Sequence, residues 1–109
     1  MSTTSTAVQP RTVKIQTDAN GNMTYTPAVL RARPGDNVVW VCADGDFALS
    51  FNERTPFERP GGYFQGHRDA QTPPQVIADT ASGSYHYHVA VRRDDGMIWF
   101  NSGSPEIFI

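Results

Sequence analysis

Apolar residues recur at every second position along most of this chain, and turn-forming residues interrupt the alternation every few residues. Side chains of a strand project to opposite faces in turn, so this period restricts the chain to half-buried β-strands and excludes a helical bundle. Val13 and Ile15 alternate with Lys14 and Gln16 before the turn 18–22. Tyr25, Leu30 and Ala32 follow, with Pro27 bending or edging that segment. In the strongest strand, 37–43, Val38, Trp40 and Cys42 oppose Val39 and Val41, which places Trp40 at the centre of the expected core. Phe47, Leu49 and Phe51 then alternate with Ala48 and Ser50, and Tyr85, Tyr87, Val89 and Val91 share a face opposite His86, His88 and Ala90. Asp94-Asp95-Gly96 reads as a hairpin turn into 97–101, and 106–109 closes the chain. Residues 52–74 lose the period and read as a long loop whose aromatic residues Phe57, Tyr63 and Phe64 need something to pack against.

At 109 residues, with 39% apolar and 18% charged side chains, this pattern predicts one all-β domain, an antiparallel Greek-key β-sandwich over 12–109. The Ser/Thr-rich segment 1–11 is expected to be a flexible tail without a signal sequence. A net charge of -2 offers no attraction for nucleic acid or an anionic membrane, and no apolar run is long enough to span one. Cys42 is the only cysteine, so no internal disulfide forms and a cytoplasmic location is expected.

Three motifs in order carry a resemblance: Leu30-x-Ala32-x-x-Gly35-Asp36-x-Val38-x-Trp40, Phe47-x-Leu49-x-Phe51 and Gly83-x-Tyr85-x-Tyr87-x-Val89. Together they resemble the cupredoxin pattern across roughly residues 12–109. The resemblance implies a cupredoxin-like sandwich whose copper ligands are gone. The position of the first histidine falls on Phe47, that of the cysteine on Val89 and that of the second histidine near Arg92, with only the displaced Met97 as an axial candidate. A blue-copper site needs a thiolate and two imidazoles. Electron transfer is therefore not expected, and no cofactor is.

Catalysis is not expected either. The serines lack a nucleophile-elbow context, Cys42 sits on a core strand, and Asp44, Asp46, Asp69, Asp94 and Asp95 occupy turns that favour aspartate for local hydrogen bonding. The expected function is binding to a protein partner or to a second copy. Its anchors are Met97, Ile98, Trp99 and Phe100, four large apolar residues in succession, with Phe108 adding to them. Either Phe57, Tyr63 and Phe64 fold over Trp99, or Trp99 is itself an anchor. Two alternatives come from other classes. His86 and His88, two apart on a strand, form a metal site with His67 if it approaches. Residues 52–74 form a lid over a small-molecule site in the other.

Overall fold

A computed structural model describes residues 10–20, 22–51, 54–58, 62–100 and 105–109, the Trp99 side chain excepted. The expected tail thus lies almost wholly outside the described residues. Among the described residues the protein is all-β, with eleven strands and no helix. They are β1 (Arg11–Thr17), β2 (Met23–Thr26), β3 (Val29–Arg31), β4 (Asn37–Cys42), β5 (Gly45–Ser50), β6 (Tyr63–Gly66), β7 (Gln75–Val76), β8 (Ser84–His86), β9 (His88–Arg93), β10 (Ile98–Phe100) and β11 (Glu106–Phe108). Two four-stranded sheets, β2-β1-β4-β7 and β10-β9-β5-β6, enclose the core in a sandwich-like arrangement, and a three-stranded sheet, β3-β11-β8, accompanies them.

The pairing is not purely antiparallel, which corrects the expectation. β1 runs parallel to β4, and β3 runs parallel to β11. Alternation along a strand fixes which face is buried but is blind to the direction of the neighbour, so the sequence pattern carried no sign of either parallel pair.

Trp40 is fully buried and organises the core. Phe57 and Tyr87 meet it edge-on at 5.8 Å, and Phe64 stacks on it at 6.1 Å. Its indole Nε1–H donates to the Tyr87 hydroxyl at 3.2 Å, joining residues from two distant segments. Burial pushes the Tyr87 phenol up to about 12, even though the indole hydrogen bond acts in the other direction. Aromatic pairs in these geometries add to the stabilisation from buried area alone, by about 0.5–1.5 kcal/mol each.

The stretch 52–74 is not simply a loop. Tyr63–Gly66 forms β6 on the edge of the β5 sheet, in register Phe47↔Gly66, Ala48↔Gln65, Leu49↔Phe64 and Ser50↔Tyr63. Phe57 and Phe64 are core residues against Trp40, and Tyr63 is 56% exposed; the Trp99 side chain that they were expected to cover lies outside the described residues. Within this stretch β6 and the side chains of Phe57 and Phe64 belong to the sandwich. Gly66, which reads as a strand breaker, is required by packing. A Cβ there would lie 2.1 Å from Phe47 Cζ, because the Phe47 ring covers the glycine of the neighbouring strand.

Candidate functional site

The β10-β9-β5-β6 sheet has two unlike faces. Phe47, Leu49, Phe64, Val89 and Val91 are buried on the inner one. The outer face is built from the alternate positions, and the strand registers arrange them in three rows. One row runs Tyr63, Ser50, His88. The middle row runs Gln65, Ala48, Ala90, Phe100. In the third, Asp46 pairs with Arg92 and Arg92 with Ile98, and His67 Nδ1 lies 4.0 Å from the Asp46 carboxylate.

Two alanines at the centre make a low floor, and larger side chains stand on both flanks. Phe100 is 71% exposed and Ile98 51% on one side, facing Tyr63 on the other. A shallow depression of about 450 Å³ runs between them over Ala48 and Ala90. Tyr63 is fixed by Gln65, whose side-chain amide donates to the tyrosine hydroxyl at 2.9 Å. Exposed aromatic and aliphatic groups beside a small-residue floor form a surface that another flat surface can approach closely.

The charged row is ordered by hydrogen bonds. Asp46 accepts from the Arg68 backbone N–H at 3.0 Å and from the Arg92 guanidinium at 3.3 Å. The Arg68 amide first, and Arg92 after it, hold the Asp46 carboxyl below the usual carboxylate range. Arg68 in turn grips both oxygens of Asp94 and donates to the Ala43 carbonyl, which ties the end of β6 to the β9–β10 turn. Gly96 adopts the left-handed conformation that this turn requires, at φ 85°.

The residues singled out from sequence are distributed differently from expectation. Ile98 and Phe100 meet on the outer face, and Met97 is exposed beside them at the turn. Trp99 pairs through its backbone with Val91, and its side chain lies outside the described residues. Phe108 does not join this patch. It belongs to the β3-β11-β8 sheet, where the Arg31 guanidinium sits 5.4 Å over its ring.

The three histidines do not converge. His86 ends β8 opposite Glu106, whereas His88 begins β9 opposite Ser50, so the chain passes from one sheet to another at buried Tyr87 and separates the pair. His67 shares the outer face with His88 but stands in a different row. Among the described residues, no group of three or more His, Cys, Asp or Glu side chains is placed to hold a metal ion.

The positions that the resemblance assigns to copper do not fit that ion either. Phe47 and Val89 are buried hydrocarbons with no donor atom, and Arg92 lies on the outer face in an ion pair with Asp46. Cys42 is fully buried, and burial pushes its thiol pKa up, away from the thiolate that a nucleophile or metal ligand needs.

Sequence reasoning named Ala48, Ala90 and Tyr63 without placing them at a site, put Asp46 in a turn whereas it lies on β5, and passed over Gln65. The signal was present in Phe47-Ala48-Leu49 and Val89-Ala90-Val91, where bulky inward residues flank a small outward one on each strand. No protein-family model and no curated protein matches the chain. No helix among the described residues is long and apolar enough to cross a membrane.

Proposed function

We propose that this chain is a copper-free, cupredoxin-like Greek-key domain that acts by binding another protein, without catalysis, and that the outer face of the β10-β9-β5-β6 sheet is its docking surface. The observation that carries the reading is the exposure of Ile98 and Phe100 beside the alanine floor. Apolar groups left in water beside a flat floor gain free energy when covered, at roughly 25 cal/mol per Å². The buried, unreactive Cys42 demands no oxidising compartment, which suits a cytoplasmic protein.

A photo-crosslinking residue in place of Gln65 tests this in the native cell, with the same probe at exposed Lys14 on β1 as control. A discrete adduct from position 65 that is absent from position 14, and lost on Phe100→Asp, is the expected result. Identical adducts from both positions, or none from position 65, would overturn the assignment.

A further inference from the structure

We infer that the occupant of this face is a second copy of the same chain, laid face to face about a two-fold axis that runs parallel to the strands between β5 and β9. The inference rests on the preceding reading of the face as the docking surface, and it identifies the partner. Such an axis keeps each row in place and exchanges β5 with β9 and β6 with β10. The residues that then oppose one another follow from the registers alone.

Ala48 of one copy faces Ala90 of the other, twice, so the two sheets meet at their lowest points. Phe100 faces Gln65 next to Tyr63, a polar and aromatic platform to cover an exposed ring. Asp46 faces Arg92. Each of these two side chains already pairs with the other inside its own chain at 3.3 Å, so the dimer closes a ring of four charges alternating in sign. An isologous interface demands this self-complementarity, in which residue i meets j while j meets i. Aligned sheets pack with strand directions within about 30° of one another, which keeps the central rows opposed.

The scale of the face sets the strength. Four strands about 4.8 Å apart and three rows about 6.8 Å apart span roughly 400 Å² per copy. That area is below the standard size of about 800 Å² per partner, so the dimer is weak and reversible.

Sedimentation from micromolar to near-millimolar concentration is the test. The wild-type weight-average mass is expected to rise up to 2-fold with concentration, and Phe100→Asp is expected to weaken association by about 30-fold or more. Asp46→Arg and Arg92→Asp each place like charges across the axis and are expected to be monomeric alone. Mixed, they oppose Arg to Asp at both contacts and associate again, a result that an intrachain role for the pair does not produce. Should Asp46→Arg fail to fold, Ala48→Asp and Ala90→Arg each bury an unpaired charge when alone. Their mixture opposes Asp to Arg at one of the two central contacts, so association is expected to recover in it.

A wild-type protein that stays monomeric throughout overturns the second copy as occupant, while a crosslink from position 65 to a different protein would still uphold the docking surface. Dimers that survive Phe100→Asp locate association elsewhere and overturn the second copy as the occupant of this face. Variants that are monomeric alone and remain so when mixed overturn the two-fold arrangement.

Discussion

The outer faces of the two four-stranded sheets differ in what they present to water. On the β2-β1-β4-β7 sheet, Thr12, Lys14, Gln16, Thr24 and Thr26 are exposed polar side chains, beside Val41 and a fully buried Val39 on β4. On the β10-β9-β5-β6 sheet the outer positions hold Ala48, Ala90, Ile98 and Phe100 among the polar Asp46, Ser50, Gln65, His88 and Arg92. Threonine and lysine solvate a sheet and discourage close approach by another, whereas alanine removes the bulk that keeps a neighbour away. Both sheets cover the same core, so packing of the interior does not explain the contrast. It separates a face whose exposed side chains are polar from one that leaves Ile98 and Phe100 in water.

The largest effect should come from the inner side of the contact sheet. Leu49 is 1% exposed, directly opposite Val89, and Leu49→Ala should cost about 2–5 kcal/mol by denaturant unfolding. Gly66→Ala comes next at about 1–3 kcal/mol, because the Phe47 ring must leave the glycine it covers. The cost should shrink in a Phe47→Leu background. Equal costs in both backgrounds would show that the ring and the glycine are not coupled.

Tyr87 and Tyr25 give the next two effects. Burial raises the Tyr87 phenol from 10.0 to about 12, so its contribution to stability is complete below pH 10 and is lost as the pH rises from there through about 12. Tyr87→Phe should flatten that alkaline limb and, by leaving the Trp40 indole N–H without its acceptor, cost about 1–3 kcal/mol at neutral pH. Tyr25 behaves differently, since its buried hydroxyl has no hydrogen-bond partner among the described residues. Tyr25→Phe should raise stability by up to about 1 kcal/mol, and a loss instead would mean that the hydroxyl has a partner in solution.

Legibility in the sequence followed the period. Val13, Ile15, Trp40, Leu49, Tyr87 and Val91 are buried as the alternation implies, because one rule decides each of them. Strand direction was illegible, as a parallel and an antiparallel neighbour bury the same residues. β6 was hidden because Gly66 reads as a breaker until the Phe47 ring is seen above it. The contact face was only half legible. Ile98 and Phe100 stood out by size, but the alanines opposite them matter by being small, and the row that joins them depends on the registers of three strand pairs.

The smallest stability change, and the one that sharpens the comparison most, belongs to the outer face. Phe100 contributes little to folding of the single chain because most of its ring is in water, so Phe100→Asp should shift unfolding by no more than about 0.5 kcal/mol. The same substitution should abolish whatever contact the face makes. On the other sheet, Lys14→Asp should be equally mild for folding and silent for association. A Phe100→Asp variant destabilised as much as Leu49→Ala would mean that the ring packs within its own chain, and the two outer faces would then differ in composition without differing in role.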